Sequence, residues 1–401
     1  MNCEEVNKKW KAYIDGECTH TEDVEIEQHL MECMTCNEKM DKELAEQENR
    51  QSKLENTAGY SIPIKKQKQL LQKAKWRHRT SNILMFIGFL IVFTIISSLL
   101  TSVYYGWGEE GGKGEKTSKL VNVITQMTMP NVYASRNSPE YGMFLNATLN
   151  KELRSKVGKE QKTVGKLNGT MFFDMVEMER EWFNGQYDIN LSFVYPDFFI
   201  QEDPYLYPVE EVWKLRDEIW EVLDLLPEGT VSEVAISFDQ LYSIDQVYSI
   251  LSQYPDLEIV WYAMDTGSEV EHSNRFGPFL HAGEGLFGFH EYSIWDFMET
   301  NKSILARGDG KRREEAFINS LKFVSENEGK GWIRRYFYGE SIQKRLDHVK
   351  KHGSKSYGVV LTGPTKELLK LQNVEQIQYA SLGEVHWWNM HSRGISGSIR
   401  N

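Results

Sequence analysis

The sequence predicts a multi-domain protein: a small all-α bundle, one transmembrane helix, and then a β-rich region followed by an α+β domain. Three observations lead to this prediction. All four cysteines of the 401-residue chain lie at or before position 36. An uncharged apolar run follows at 83–100, and the rest of the chain alternates strand-like and helical segments. With 40 % hydrophobic residues, a chain of this length can form more than one core.

Residues 1–60 are expected to form a small helical domain. Four residues of VNKKWKAYIDG fall on one helical face: Val6, Trp10, Tyr13 and Ile14. Gly16 is a stop signal for this first helix. A second helix is expected over about 21–30, and a third is expected from position 33 or 36 to beyond 44.

The octapeptide HLMECMTC places His29, Cys33 and Cys36 at a spacing that lets three side chains converge. Zinc takes four thiolate or imidazole ligands, and Cys3 is the natural fourth because the first helix can fold back. A structural ion would add folding energy to a region with few apolar anchors. The alternatives are packed cysteines beside an unrelated histidine, or a redox CxxC. Asn37 follows the second cysteine, which excludes a haem attachment motif.

The run ILMFIGFLIVFTIISSLL is just long enough to cross a bilayer, and we predict a transmembrane helix over 83–105. Seven Lys or Arg and no carboxylate precede it within 61–82, and an aromatic belt (YYGW) follows it. The positive-inside rule then places residues 1–82 in the cytoplasm and 104–401 outside. The thiols would lie on the reducing side. A buried core helix is the alternative.

The segment 61–82 is expected to be a separate basic juxtamembrane helix. Its apolar stripe consists of Ile64, Leu70, Leu71 and Ala74. Such a helix either lies on anionic lipid or binds a partner protein, and the pattern leaves both interpretations open. The net charge of −12 argues against direct binding of nucleic acid.

Beyond the membrane, GWGEEGGKGEKT (106–117) is expected to be a flexible linker. Strand-like stretches, beginning with LVNVITQMTM, predict a mainly β region over 118–200. Two strand–helix–strand units separated by helices at about 291–303, 311–327 and 339–352 predict an α+β domain over 204–392. One arrangement compatible with this pattern is a ferredoxin-like sandwich with an insertion.

The exported part shows no catalytic motif, and we predict that the protein is not an enzyme. GFHEYSIWDF contains the pair His290-Glu291 but has Ile294 where HExxH requires histidine. No nucleophile–base pair can be argued. Asp265 and Gly267 follow a predicted strand, at a position where functional sites often lie, but a plain turn explains these residues equally well.

Cys3, YIDG at 13–16 and HLMECMTC together resemble the zinc-binding anti-sigma domain of membrane regulators of extracytoplasmic-function sigma factors. The resemblance implies a helical bundle that holds one structural Zn²⁺ through Cys3, His29, Cys33 and Cys36. It also implies a further helix that clamps the sigma factor, which SIPIKKQKQLLQKAKWR matches in placement and apolar stripe. Cys18 fits no position of this motif and, with His20, forms a rival ligand pair.

The exported part resembles the sigma-factor-regulator domains of Gram-positive anti-sigma proteins, above all in the stretch 229–267. The two resemblances imply a membrane anti-sigma factor that represses transcription initiation until an envelope-stress signal releases the sigma factor. Its partners would be that sigma factor, the lipid bilayer, and a membrane co-regulator or protease. The alternatives are a cytoplasmic thiol/zinc redox sensor and an exported binding domain with a cytoplasmic anchor.

Overall fold

The computed structural model describes residues 1–15, 17–55, 64–108, 111–183, 190–200, 207–282, 285–291, 309–337 and 339–388. The chain divides into two compact units, Met1–Leu90 and Ile91–Asn401. As the sequence predicts, an N-terminal helical region, one candidate membrane helix and a β-rich C-terminal region follow one another. The helix expected at 291–303 falls almost entirely outside the described residues.

Three helices form the N-terminal part. They are α1 (Cys3–Asp15), α2 (His20–Glu32) and α3 (Met34–Glu55). Val6, Trp10 and Ile26 are buried between them and make a small core. Trp10 also donates its indole N–H to Glu43 of α3, so the amphipathic face read from the sequence faces this core.

One long helix, α4 (Ile64–Gly106), follows. Its 43 residues correspond to a length of about 65 Å at 1.5 Å per residue. Within the described residues, it is the one helix long and apolar enough to cross a membrane, over Gln72–Gly106. The predicted juxtamembrane and transmembrane helices are therefore a single helix.

The segment expected to be a flexible linker followed by a strand is instead a helix, α5 (Gly112–Thr128). Most of its residues are buried, its exposed residues are limited to a few positions such as Lys113 and Lys116, and its β-branched residues imitate a strand pattern. The glycines of this segment do not make it flexible. Gly112 and Gly114 are instead needed because neighbouring groups pack closely against their backbone. A Cβ at Gly112 would lie 2.5 Å from the carbonyl oxygen of Tyr105, and one at Gly114 would lie 2.6 Å from the hydroxyl of Tyr141.

An antiparallel sheet follows α5. Its strands are β1 (Val132–Ala134), β2 (Glu140–Tyr141), β3 (Asn146–Val157), β4 (Glu160–Phe172) and β5 (Met175–Trp182). They are ordered β1-β3-β4-β5, and β2 also pairs with β3. Along β3 and β4 the residues alternate between buried and more exposed positions, which explains why the sequence predicts β structure here.

The remaining elements build a second antiparallel sheet and its covering helices. They are β6 (Ser192–Val194), a 3₁₀ turn (Pro196–Phe199), α6 (Val209–Leu225), β7 (Thr230–Tyr242), α7 (Ile244–Leu251), β8 (Glu258–Met264), α8 (Glu269–Phe276), β9 (Phe279–His281), β10 (Gly288–His290), α9 (Gly310–Ser325), α10 (Gly331–Tyr336), α11 (Ile342–His352), β11 (Ser356–Pro364), α12 (Thr365–Leu369), a 3₁₀ turn (Lys370–Asn373) and β12 (Ile377–Trp387). The sheet order is β10-β8-β11-β7-β12, and β6 pairs separately with β9.

The two sheets share one hydrophobic core, although the sequence predicted a β region and an α+β domain with separate bounds. Buried residues of α5 and β3 pack with those of β7, β8 and α9. Polar contacts cross the same junction, because Trp261 of β8 donates its indole N–H to the carbonyl oxygen of Gln126 at 2.8 Å. Ile91–Asn401 is accordingly a single compact unit.

Candidate metal centre

Three helix ends meet where the sequence places its cysteine–histidine motif. Cys3 is the first residue of α1, and His29 lies in the last turn of α2. Cys33 caps α2 and donates its backbone N–H to the carbonyl oxygen of His29 at 2.8 Å. Cys36 lies in the first turn of α3. The break between α2 and α3 at Cys33 thus turns the CxxC toward the histidine one helical turn before it.

The four side chains converge closely enough to hold one ion. One ligand atom from each of Cys3, His29, Cys33 and Cys36 lies within 4.8 Å of all the others. The Sγ atoms of Cys3 and Cys33 are 3.7 Å apart. A tetrahedral zinc ion with Zn–S bonds of about 2.3 Å separates its sulfur ligands by about 3.8 Å. A disulfide would need about 2.05 Å, and all four cysteines are free.

The histidine has an unsatisfied nitrogen in this cluster. Nε2 of His29 is buried and has no hydrogen-bond partner among the described residues. Buried polar atoms are rarely left without a partner, and a metal ion would supply one. Burial raises the pKa of the Cys36 thiol to about 11, while the backbone N–H of Cys36 lowers the pKa of Cys33. Metal binding would therefore release protons.

Cys18 and His20 do not join this cluster. Cys18 packs against the small core around Trp10 and Ile26, and burial is the main cause that raises its thiol pKa. In the part of the chain that the structure describes, no other three Cys, His, Asp or Glu ligands come together in this way. The donor set that fits a zinc ion is thus three thiols and one imidazole.

The apolar stripe predicted on the basic helix lies near the N-terminus of α4. Ala74 is exposed there. The side chains of Ile64, Leu70 and Leu71 lie outside the described residues, although their backbone is helical.

Asp265 of the C-terminal unit lies in a buried polar cluster. One carboxylate oxygen pairs with Nε2 of His348 at 2.9 Å, and the other accepts from the hydroxyl of Tyr195 at 3.2 Å. Nearby, Arg345 and Glu269 form a buried ion pair at 3.1 Å. Sequence reasoning missed these partners because they are about eighty residues apart and carry no motif. Most of these groups satisfy one another, which is typical of a structural network, and Nε of Arg345 is the one buried polar atom of these side chains that lacks a partner among the described residues.

Three family models match the chain in succession. They are described as "Putative zinc-finger" (residues 3–37), "Sigma factor regulator N-terminal" (68–162) and "Sigma factor regulator C-terminal" (223–384). A Bacillus subtilis (strain 168) protein named "Probable anti-sigma-M factor YhdL" is 27 % identical over 393 residues, which cover 97 % of this chain and 100 % of the relative. No solved structure matches. Over most of its length the chain is therefore similar to zinc-finger anti-sigma factors that carry sigma factor regulator domains.

Proposed function

We propose that the protein is a single-pass membrane anti-sigma factor that sequesters an extracytoplasmic-function sigma factor and so represses transcription initiation. One observation carries this proposal. A cluster of four metal-ligand side chains lies in residues 3–36, in the same chain as a membrane-length helix and the sigma factor regulator domains. The name of the B. subtilis relative, matched over nearly all of both chains, supports the same function.

One structural Zn²⁺ is the cofactor of this proposal. Cys3, His29, Cys33 and Cys36 would hold it, and the ion would fix the ends of α1, α2 and α3 to one another. The buried hydrophobic core of this region is small, so the ion would supply much of its stability. Its role is structural, because four protein ligands fill a tetrahedral site and leave no position for a reactant.

The sigma-binding surface would combine this helical bundle with the N-terminal part of α4. Ile64, Leu70, Leu71 and Ala74 would form its apolar contact. The acidic stretch from about Glu22 to Glu55 suits approach to a basic DNA-binding protein, because opposite charge speeds encounter. Direct binding of nucleic acid is not part of the proposal.

Residues 1–82 would be cytoplasmic and the sigma factor regulator domains extracellular. The cations that precede the apolar run support this orientation. Strands β7, β8, β11 and β12 would form a ferredoxin-like unit, which the strand order supports because β7 and β11 are central neighbours. This regulator part would not be an enzyme. It would respond to an envelope signal, with release through a protease or a membrane co-regulator.

Co-purification tests the proposal directly. The full chain, extracted in mild detergent, is expected to retain a sigma factor and one zinc ion per chain. His29→Ala and Cys36→Ser each remove one ligand and should lose both. Cys18→Ala is the matched control, because it removes a thiol from the same region but outside the cluster, and it should retain both. A zinc-loaded chain that retains no sigma factor would contradict the proposed function.

A redox role for the same thiols stays a prediction. Mild peroxide would then expel zinc and release the sigma factor. Unchanged sigma-factor binding after oxidation of Cys33 or Cys36 would exclude it.

A further inference from the structure

Two hairpin tips of the C-terminal unit lie against the last turns of α4. The first tip (residues 142–146) joins β2 to β3, and the second (172–175) joins β4 to β5. The ring of Phe144 in the first tip lies 5.7 Å from the ring of Phe93, and that of Phe173 in the second lies 5.8 Å from Tyr104. Both tips therefore contact the helix that the proposed function places in the membrane.

The backbone of the first tip is satisfied by hydroxyl groups of α4. The N–H of Phe144 donates to Oγ of Ser97 at 2.6 Å, and the N–H of Leu145 donates to Oγ1 of Thr101 at 2.9 Å. One turn further along, the hydroxyl of Tyr105 donates to the carbonyl oxygen of Leu145 at 2.9 Å. Irregular backbone is tolerated at membrane depth only where such partners replace water.

The same hydroxyl of Tyr105 also reaches the second tip. It lies 3.2 Å from the carbonyl oxygen of Phe173. Phe144, Leu145 and Phe173 all have φ between 53° and 57°, a conformation that residues other than glycine rarely adopt. The three residues at the tips are thus held in an unusual backbone conformation by contacts with the helix.

Although the backbone groups point inward, the largest side chains of both tips point into solvent-accessible space. The exposed fractions are 46 % for Met143, 51 % for Phe144, 44 % for Phe172, 46 % for Phe173 and 59 % for Met175. Five exposed apolar side chains on two adjacent tips form a patch of the kind that marks a membrane or protein contact.

The depth of this patch follows from the helix. A hydrocarbon core of about 30 Å takes about 20 residues, so a span that begins at Ile83 ends near Ser102. Ser97, whose hydroxyl accepts the hydrogen bond from the N–H of Phe144, lies about 7.5 Å deeper than that end. The charged group of the second tip is nearer the surface, because Asp174 pairs with Lys113 at 3.7 Å beside the ring of Tyr104.

We infer that the two tips insert into the membrane leaflet next to the C-terminal end of α4, with Met143, Phe144, Phe172, Phe173 and Met175 against lipid acyl chains. The occupant of the patch is lipid because the patch continues the lipid-facing surface of α4, where Ile96, Leu99 and Leu100 are 50 %, 61 % and 60 % exposed. The inference rests on the membrane placement of α4 in the proposed function. It adds a second, non-helical membrane anchor to the C-terminal unit.

Paramagnetic broadening in the unmodified full chain tests the inference. The protein, carrying methyl-labelled methionine, is placed in nanodiscs of phosphatidylglycerol and phosphatidylethanolamine with a nitroxide on a fraction of the acyl chains. Met→Leu substitutions assign the signals. Met85, which lies within the span and is 69 % exposed, is the positive control. Met31 and Met34, which are 83 % and 80 % exposed in the N-terminal unit, are the controls for solvent exposure alone.

We expect the methyl signals of Met143 and Met175 to broaden as strongly as that of Met85, while those of Met31 and Met34 keep their width. If Met85 broadens and Met143 and Met175 do not, water, a second copy or another membrane protein covers the tips, and the inference is wrong while the proposed function stands. If Met85 does not broaden either, the membrane placement of α4 fails and both are wrong.

Discussion

Thr101→Val should weaken the contact between the first hairpin tip and the C-terminal end of α4. The side chain of Thr101 is fully buried, donates to the carbonyl oxygen of Ser97 at 2.9 Å, and accepts from the N–H of Leu145 at 2.9 Å. Valine has nearly the same shape but accepts no hydrogen bond. The substitution therefore removes the partner of the Leu145 N–H while leaving the packing almost unchanged.

The size of the effect follows from the N–H of Leu145, which loses its hydrogen-bond acceptor. A buried N–H that loses its partner costs about 1–3 kcal/mol, and this site offers little water to replace it. If the Leu145 amide exchanges through local opening, its exchange rate should rise about 5- to 150-fold. Hydrogen exchange of the full chain in nanodiscs, followed by mass spectrometry of the peptide that contains residues 142–146, measures this. Ser97→Ala should act similarly on Phe144.

The same helix provides a matched control. The hydroxyl of Thr94 bonds to the carbonyl oxygen of Ile91 at 2.8 Å, one turn back on α4 itself. Thr94→Val is therefore expected to change exchange in 142–146 by less than about threefold, because an exposed local hydrogen bond contributes little. Equal acceleration by Thr94→Val and Thr101→Val, or none by Thr101→Val, would refute the role assigned to this hydrogen bond.

Three further predictions concern the C-terminal unit, each measured by thermal unfolding of the full chain in nanodiscs. Burial raises the pKa of Glu233 from 4.5 to about 7, so the stabilising effect of its protonated form is full below pH 4.5 and is lost as pH rises through 7. Glu233→Gln should remove this pH-dependent loss, which totals about 3 kcal/mol in the free energy of unfolding. Gly114→Ala should destabilise by about 1–3 kcal/mol through overpacking, whereas Gly106→Ala, with ordinary contacts, should not. Arg313→Met should lower the free energy of unfolding by about 3–5 kcal/mol, because it leaves the buried carboxylate of Glu291 without its charge partner. Adding Glu291→Gln should recover part of this loss.

The metal-ligand cluster was predictable because its chemistry is local. His29, Cys33 and Cys36 lie within eight residues, so the end of α2 and the start of α3 bring them together, and only Cys3 had to arrive from a distance. The candidate membrane helix was predictable for the same reason, since the apolar run is continuous. Which apolar run of the C-terminal unit becomes buried depends on distant contacts, so the sequence pattern of α5 predicts a linker and a strand instead of a helix.

Contacts between residues far apart in the sequence also could not be predicted. Asp265 stood out at a strand end, yet its partner His348 comes from a helix more than eighty residues later. The contacts of Ser97 and Thr101 with the first hairpin tip were equally invisible, because hydroxyl residues inside an apolar run usually bond to their own helix. Sequence patterns thus predict the cluster and the span, but the coupling between span and domain depends on tertiary contacts.

This coupling would restrict how the proposed envelope signal leaves the C-terminal unit. A flexible linker after the membrane helix would transmit little beyond tension, whereas the end of α4 is held by two hairpin tips and by α5, which begins within six residues of it. A helix held in this way follows its domain by rotation, tilt or translation. A protease acting on residues 93–107 would first require these contacts to open. The proposed protease route therefore depends on a local opening, to whose free energy hydrogen bonds such as that of Thr101 contribute. The proposed co-regulator route could instead use the intact contacts, because they let the helix follow its domain.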